Sequence, residues 1–241
     1  MGGAWKDTFA MNGTSETTSL GAETQGLNQP VALIEPGTAL DGVEFVTDVD
    51  FPTRLGHFRL YGFYDHQTDE EHTALVLGDV RGAQNLPVRV HSECHTGDVW
   101  GSLRCDCREQ LELAVSYVAE RKAGVVVYMR QEGRGIGLMN KLRAYKLQEL
   151  GFDTVEANEQ LGFPAEARDY RVTACILRLL GVKSLELMSN NPDKIEKLKA
   201  YGVEISGRIP IVAEPNPHNQ AYMDTKRLRM RHTYGVEGTT P

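Results

Sequence analysis

The chain has 241 residues, of which 41% are hydrophobic and 24% are charged, and its formal net charge at pH 7 is −7. This length allows one fairly large domain or two small ones with a substantial core. The acidic balance excludes proteins that bind nucleic acid or an acidic membrane face through their net charge. Any anionic ligand must therefore be held by local clusters of Arg and Lys.

No apolar run approaches the roughly 20 residues that cross a bilayer, and the N-terminus lacks the basic and apolar segments of a signal peptide. We therefore expect a cytoplasmic protein without membrane or nucleic-acid partners. Residues 1–42 are rich in Gly, Ser, Thr and Glu. This composition predicts a disordered N-terminal tail with room for a strand or a short helix.

The first half of the remaining chain is typical of strands. Apolar and polar residues alternate with the period of half-buried strands at 43–46, 56–63, 73–78 and 87–91. Residues 108–123 have helical spacing, and Gly124 predicts the end of that helix. The almost wholly apolar run at 125–128 predicts a strand that is buried on both faces, as in a parallel sheet.

Three of the four cysteines lie between residues 94 and 107. Cys105 and Cys107 are separated by one residue, and Cys94 lies eleven positions upstream of Cys105, so the three sulfurs can converge on one point. Thiolates bind Zn2+, and three protein ligands leave the fourth tetrahedral position for water, as in catalytic zinc sites. The segment therefore predicts a catalytic zinc site.

Two alternatives for these cysteines stay open. A disulfide is rare in the reducing compartment that the missing signal peptide indicates. A structural zinc site would need a fourth ligand, for which His91 or His95 is available. The catalytic site is favoured because ionisable residues crowd the same segment. These are Arg89, His91, Glu93, Asp98, Arg104 and Asp106.

A glycine-rich turn follows the apolar strand. Residues 130–137 have the sequence RQEGRGIG and precede a helical pattern that extends to residue 150. Such a turn presents backbone N–H groups and the positive end of a helix to an anion. A glycine-rich turn alone is a weak signal, but two flanking arginines favour a phosphate.

The last third of the chain alternates helices and strands. We predict loop or extended structure at 153–163, a helix at 165–180 and strands at 184–188 and 203–205. Asn191 is a candidate N-cap, with Pro192 at the first position of a helix that ends before Gly202. This alternation predicts an α/β fold with a mixed sheet flanked by helices. The basic run after residue 222 is typical of a solvated helix face.

Seven motifs follow one another along the chain. They are RVHSEC at 89–94, SLRCDC at 102–107, RQEGR at 130–134, NKLRAY at 140–145, DTVEAN at 153–158, QLGF at 160–163 and NNP at 190–192. Together they closely resemble GTP cyclohydrolase II of riboflavin biosynthesis. The resemblance implies a catalytic domain at 43–222, between a flexible extension at 1–42 and a basic C-terminal helix or tail at 223–241. We expect no dihydroxybutanone phosphate synthase domain, because residues 1–42 are too few to hold it.

The resemblance implies hydrolytic opening of the guanine imidazole ring of GTP. Water adds at C8, formate and pyrophosphate leave, and the product is 2,5-diamino-6-ribosylamino-4(3H)-pyrimidinone 5′-phosphate. It also implies one Zn2+ on Cys94, Cys105 and Cys107, Mg2+ with the triphosphate, and a homodimer. Because C8 is a poor electrophile, the attacking water needs a Lewis acid such as Zn2+.

The same resemblance assigns roles to individual residues. Tyr145 corresponds to the tyrosine needed for ring opening, and Glu166 to the general acid or base. Arg168 corresponds to the arginine that acts at the α-phosphate, where we favour charge stabilisation because the arginine pKa is too high for a nucleophile. The residues that would contact GTP are Arg89, Val90, His91, Ser92, Glu93, Gln110, Glu132, Gly133, Arg134, Thr154, Ser189 and Lys194.

Within that set, two functions can be separated. Glu132 or Gln110 would bind the amide edge of guanine. Arg89, Arg134 and Lys194 suit the phosphates.

Two positions depart from the family pattern. Glu166 stands where the family has Asp, and Ser189 stands where it has Thr, although the carboxylate and the hydroxyl are kept. One alternative is therefore a paralogue that stops at the formamidopyrimidine or uses another purine nucleotide, although Tyr145 argues against the formamide type. A second alternative is a non-catalytic nucleotide-binding regulator with structural zinc, which would need neither Tyr145 nor Arg168.

Overall fold

The computed structural model describes residues 34–164, 166–229 and 231–233, without the side chain of Ala221. Most of the predicted N-terminal tail therefore lies outside the described residues. Its described end contains a short strand, β1 (Ala39–Leu40), and Ile34 is buried in the core. The sheet thus begins before the predicted boundary at residue 43.

Seven further strands of the described chain join β1 in one sheet. They are β2 (Val43–Thr53), β3 (Gly56–Asp65), β4 (Glu70–Leu77), β5 (Leu86–Ser92), β6 (Gly124–Met129), β7 (Leu185–Met188) and β8 (Ile205–Ile209). Their order in the sheet is β1-β2-β3-β4-β6-β5-β7-β8.

The sheet is mixed, as predicted. Strands β1 to β4 pair antiparallel, and β5 pairs parallel with both β6 and β7. Strand β6 joins the two halves, because Val127 lies opposite Ala74 in an antiparallel ladder and opposite Val90 in a parallel one. The apolar run at 125–128 therefore forms a central strand, but only one of its two neighbouring strands is parallel to it.

The described residues contain six α-helices. They are α1 (Cys107–Arg121), α2 (Leu138–Gln148), α3 (Thr154–Gln160), α4 (Arg171–Leu179), α5 (Pro192–Ala200) and α6 (Gln220–Leu228). A π-helical turn at His95–Val99 and a 3-10 turn at Glu132–Gly135 complete the set. Helix α5 begins as predicted, because the Asn191 side chain accepts a hydrogen bond from the N–H of Asp193.

The prediction of loop or extended structure at 153–163 is wrong, because this segment contains α3. The Asp153 carboxylate accepts hydrogen bonds from the N–H groups of Val155 and Glu156, and the Glu156 carboxylate accepts one from the N–H of Asp153. This reciprocal capping box stabilises a helix of only two turns. Its sequence signal is an acidic cap followed three residues later by Glu.

The helix predicted at 165–180 begins only at Arg171. Before it, the Asp169 carboxylate accepts a hydrogen bond from the N–H of Arg171 at 3.0 Å. The Glu166 carboxylate likewise accepts one from the N–H of Arg168 at 2.9 Å. Side chains that bond nearby N–H groups in this way compete with helical hydrogen bonds, which explains the late start.

Helices cover both faces of the sheet. Cys175 and Ile176 of α4 lie in the same buried cluster as Val127, so the prediction that Cys175 is a core residue is confirmed. On the other face, Val118 of α1 lies in a second cluster with Val126. No helix within the described ranges is long and apolar enough to cross a membrane.

Candidate active site

The candidate site lies where β5, β6 and β7 end. Because these strands are parallel, their carboxyl ends meet at one edge of the sheet, the usual place for ligands in α/β folds. Strand β5 leads into residues 94–107, here called the thiol loop. Strand β6 leads into the 3-10 turn, and β7 leads into the start of α5. Motifs that are far apart in the sequence therefore converge.

One pocket brings together nearly all of the predicted site residues. It is lined by Arg89, His91, Ser92, Glu93, Cys94, Cys105, Cys107, Gln110, Glu132, Gly133, Arg134, Tyr145, Thr154, Arg168, Ser189 and Lys194. The side chain of Val90 is instead fully buried in the core, and only its carbonyl takes part, as the acceptor for Lys194 Nζ at 2.7 Å. Glu166 does not line the pocket but pairs with Arg168, which does.

The three predicted metal ligands form a compact cluster. Their sulfurs lie within 4.8 Å of one another, and those of Cys94 and Cys105 are 3.7 Å apart. All three are free thiols. Gly97 packs against them so closely that an added Cβ would lie 2.9 Å from Cys105 Sγ and 3.2 Å from Cys94 Sγ. This cradle of soft donors fits a tetrahedral zinc ion.

Neither histidine that was considered as a fourth ligand joins the thiols. His91 Nε2 lies 3.1 Å from the Asp98 carboxylate, and burial lowers the pKa of His91. The ring of His95 packs edge-on against Trp100. Among the described residues, the only group of three or more potential ligands is the thiol cluster. A set of three thiols matches a catalytic zinc site better than a structural one.

A partly buried lysine contacts the thiol cluster. Lys141 Nζ lies 3.1 Å from Cys94 Sγ and 2.8 Å from Glu132 Oε1. Hydrogen bonds from Cys105 and Cys107, together with the charge of Lys141, lower the pKa of Cys94. Although its contact with Cys107 opposes the change, the hydrogen bond with Cys94 and burial raise the pKa of Cys105 to about 11. One thiolate is therefore favoured, and a bound cation would displace the remaining protons.

Tyr145 lies beside the same cluster. Its hydroxyl is 3.5 Å from Thr96 Oγ1, which is itself 3.6 Å from Cys94 Sγ. The guanidinium of Arg104 stacks over the Tyr145 ring at 4.3 Å. Burial raises the pKa of Tyr145, so its hydroxyl stays protonated and can donate a hydrogen bond.

The pocket also contains basic side chains that form no ion pair within the described residues. Lys194 is 4% exposed, and burial followed by the charges of Arg89 and Arg168 lowers its pKa well below the usual range. Arg134 has a left-handed backbone with φ of 64°, and its Nη1 is buried without a hydrogen-bond partner in the described part of the chain. Strained backbone and an unsatisfied buried cation are typical of a binding site for an anion.

Several pocket residues were not assigned to the site from the sequence. They are Arg104, Ile136, Lys141, Ala144, Gln148, Asn158, Asn190, Asn191, Tyr222, Lys226 and His232. The expectation that the basic run after residue 222 is solvated is wrong for Lys226, which is 7% exposed and forms an ion pair with Asp106. The predicted domain boundary at 222 also falls inside α6.

Comparison with known proteins identifies the family. The family model for GTP cyclohydrolase II matches residues 44–210, which is most of the chain. The chain belongs to the GTP cyclohydrolase II family. The resemblance predicted from the seven motifs is thereby confirmed.

Curated members of this family match over almost their full length. GTP cyclohydrolase-2 of Saccharophagus degradans is 49% identical over 193 residues, which cover 80% of this chain and 96% of that protein. GTP cyclohydrolase-2 of Salmonella typhimurium is 50% identical over 187 residues, which cover 78% of this chain and 95% of that protein.

Longer relatives match over part of their length. Riboflavin biosynthesis protein RibBA of Bacillus subtilis is 52% identical over 191 residues, which cover 79% of this chain and 48% of that protein. In two further RibBA proteins the matched region covers 46% and 34% of the relative's own length. The chain thus spans half the length or less of these RibBA relatives.

Proposed function

We propose that this chain is a zinc-dependent GTP cyclohydrolase II that supplies riboflavin biosynthesis. It would release formate and pyrophosphate from GTP and leave 2,5-diamino-6-ribosylamino-4(3H)-pyrimidinone 5′-phosphate. The main support is that one pocket contains a three-thiol cluster, Tyr145 and two basic side chains, Arg134 and Lys194, that form no ion pair within the described residues. The family match and relatives named GTP cyclohydrolase-2 support the same substrate.

The thiol cluster would hold Zn2+, which supplies a Lewis acid for the addition of water at C8. Hydrogen bonds within the protein hold the residues around it in place. Glu132 accepts hydrogen bonds from Lys141 Nζ, from the N–H of Gly133 and from the N–H of His95 at 2.6 Å. It therefore ties the glycine-rich turn to the thiol loop. Tyr145, whose hydroxyl lies 3.5 Å from Thr96 Oγ1, would donate a proton to a ring nitrogen that becomes basic as the ring opens.

The phosphates would bind to Arg89, Arg134, Arg168 and Lys194, with Mg2+ shielding the triphosphate. Although burial opposes its charge, Tyr170 and the Glu166 carboxylate raise the pKa of Arg168. An arginine that holds its proton so firmly stabilises charge at the α-phosphate and is a poor nucleophile. Such electrostatic stabilisation is the main contribution that a protein makes to phosphoryl transfer.

Glu166 would act as a base and as the partner that orients Arg168. Its carboxylate accepts hydrogen bonds from Arg168 Nε at 2.7 Å and from the Arg168 N–H. Although burial opposes the change, these contacts and the charge of Arg168 lower the pKa of Glu166. The side chain is therefore ionised before substrate binds. The longer Glu in place of Asp keeps a bidentate contact with Arg168.

The decisive experiment is incubation with GTP, Zn2+ and Mg2+, followed by mass spectrometry of the nucleotide and a formate assay. The deformylated diaminopyrimidine monophosphate with one formate per GTP is the expected result. A formamide product without formate would instead indicate the paralogue that stops early. Binding of GTP without turnover would indicate the regulator with structural zinc.

We extend the proposal to a cytoplasmic homodimer, as the family resemblance implies. Light scattering after size-exclusion chromatography should give twice the mass of 26.8 kDa. A single-chain mass at micromolar protein would contradict the dimer without affecting the proposed reaction.

A further inference from the structure

Helix α6 contacts the thiol loop through a buried ion pair. Lys226 Nζ donates to Asp106 Oδ1 at 2.5 Å, and the two residues are 7% and 1% exposed. Asp106 lies between Cys105 and Cys107, so it is joined through the backbone to two of the three thiols. The contact spans 120 residues of sequence and binds the end of the chain to the candidate metal site.

The ion pair is one end of a longer polar chain. Asp106 Oδ2 accepts a hydrogen bond from Gln110 Nε2 at 2.5 Å, and Gln110 Oε1 accepts one from Arg89 Nη2 at 2.7 Å. Arg89 Nη1 then donates to the carbonyl of Met188 at 2.9 Å. Charged and amide groups therefore connect α6, the thiol loop, α1 and the carboxyl end of β7 without a break.

This chain fixes the direction of the Gln110 amide. An amide has one accepting and one donating end, and here a guanidinium and a carboxylate bind the respective ends. The arrangement holds only while Asp106 remains a fixed carboxylate. Removal of Lys226 would leave Asp106 as a buried charge without its main partner, which a protein relieves by moving the charged group.

Other contacts hold the C-terminal segment over the same pocket. Arg229 pairs with Asp153 at the start of α3, and Arg231 pairs with Asp193 in the first turn of α5. The ring of Tyr222 lines the pocket, with the guanidinium of Arg134 at 6.0 Å from its centre. Helix α6 and the residues after it therefore contact three separate elements around the site, which are α3, α5 and the 3-10 turn.

We propose that Lys226 is a positioning residue for the reaction proposed above, on which this inference rests. Through Asp106 it holds Cys105 and Cys107 in place for the metal, and through Asp106 and Gln110 it holds Arg89 in place for the nucleotide. The C-terminal helix is then required for metal binding and activity. Its loss would weaken both even though all three thiols are present.

The test compares Lys226→Met with Lys226→Arg and with Arg227→Met. Arg227 is a matched control because it is the next residue of α6, its side chain is 63% exposed, and it pairs with Asp224 on the same helix. Zn2+ affinity is measured by competition with a chromophoric chelator, which needs no turnover. Steady-state kinetics with GTP and thermal unfolding are measured on the same samples.

We expect Lys226→Met to weaken Zn2+ binding about tenfold or more, as loss of a residue that orients metal ligands usually does. It should also raise KM for GTP and lower kcat. Lys226→Arg should recover most of each loss, and Arg227→Met should match the wild type. If Lys226→Met only unfolds at a lower temperature, with Zn2+ affinity and KM unchanged, then Lys226 is merely structural and the proposal is wrong.

If Lys226→Met does not fold, the double variant Lys226→Met with Asp106→Asn replaces it, because it leaves no unpaired buried charge. Weakened Zn2+ binding in this variant supports the proposal, and affinity equal to the wild type overturns it. Zn2+ affinity also separates the two proposals. A wild type that binds Zn2+ but never opens GTP would reject the proposed reaction, while the variants still decide whether Lys226 positions the thiols.

Discussion

The ammonium group of Lys141 lies 3.1 Å from the sulfur of Cys94. A zinc ion with three thiolates has a net negative formal charge, and the charge of Lys141 lies close enough to offset it. Although burial opposes its charge, the Cys94 thiolate and the Glu132 carboxylate raise the pKa of Lys141. Lys141 therefore keeps its positive charge in a partly buried position, where its effect on the thiols is stronger than in water.

Lys141→Met should weaken Zn2+ binding about tenfold, because it removes this charge and the ion pair with Glu132. Chelator competition measures the affinity directly. Lys146→Met is the matched control, since Lys146 lies on the same helix, is 75% exposed and pairs with Glu149 at the surface. Equal Zn2+ affinity in the two variants would show that Lys141 does not support the metal site.

Gly97→Ala should damage the metal site while leaving the fold intact. A Cβ at residue 97 would lie 2.9 Å from Cys105 Sγ and 3.1 Å from Cys107 Cβ, so the sulfurs must move apart. We expect loss of bound zinc, measured by atomic absorption, with an unchanged circular dichroism spectrum. Gly62→Ala is the control, because the nearest atom to its new Cβ is 3.7 Å away. Full zinc occupancy in Gly97→Ala would contradict the inference that the sulfurs need the space left by Gly97.

Glu166→Gln should lower kcat about 100-fold and change KM for GTP much less, since it removes a base and loosens the orientation of Arg168. Steady-state formate release measures both constants. Glu166→Asp restores the residue that the family pattern has at this position and should retain most of the activity. An unchanged kcat in Glu166→Gln would remove this residue from the mechanism.

Local patterns in the sequence predicted much of this molecule. The alternation in β2 to β5, the apolar run of β6 and the Asn191–Pro192 helix start each depend on neighbouring residues, and the structure contains all of them. The thiol cluster was predicted from spacing and family resemblance together. The missed helix α3 also had a local signal, in its capping box, but its seven residues are too few to show a clear period.

The contacts that the sequence could not predict are long-range. Lys226 looks like any solvated lysine on a basic helix until the fold places it against Asp106, 120 residues away. Lys141 likewise looks like an exposed lysine of helix α2 until the fold places it against Cys94. Burial of a charge depends on which segments pack together, and no local pattern contains that information.

Lys194 should take up a proton when GTP binds. Burial lowers the pKa of Lys194 well below the usual range and so favours the neutral amine in the free protein, whereas the phosphates favour the ammonium form. The affinity for GTP should therefore fall as pH rises. Titration calorimetry of the zinc-free protein in two buffers of different ionisation enthalpy measures the uptake, up to about one proton. Uptake should disappear in Lys194→Met and persist in Lys199→Met, where an exposed lysine of the same helix is changed.

His72 should make the fold sensitive to acid. This residue of β4 is 4% exposed, and its Nδ1 accepts a hydrogen bond from the N–H of Arg130, while its buried Nε2 has no hydrogen-bond partner among the residues that the structure describes. Burial lowers the pKa of His72 to about 4, against 6.5 for an ordinary histidine. Between these values the unfolded chain binds a proton that the folded chain does not, so stability is lost as pH falls.

The loss between pH 7 and pH 5 should be about 2 kcal/mol from this group alone. Thermal or urea unfolding at the two pH values measures it. His72→Gln removes the titration and should reduce the difference in unfolding free energy between the two pH values by that amount. His218→Gln, which changes an exposed histidine, is the matched control. The same pH dependence in His72→Gln and the wild type would show that His72 is protonated in the folded protein as readily as in the unfolded chain.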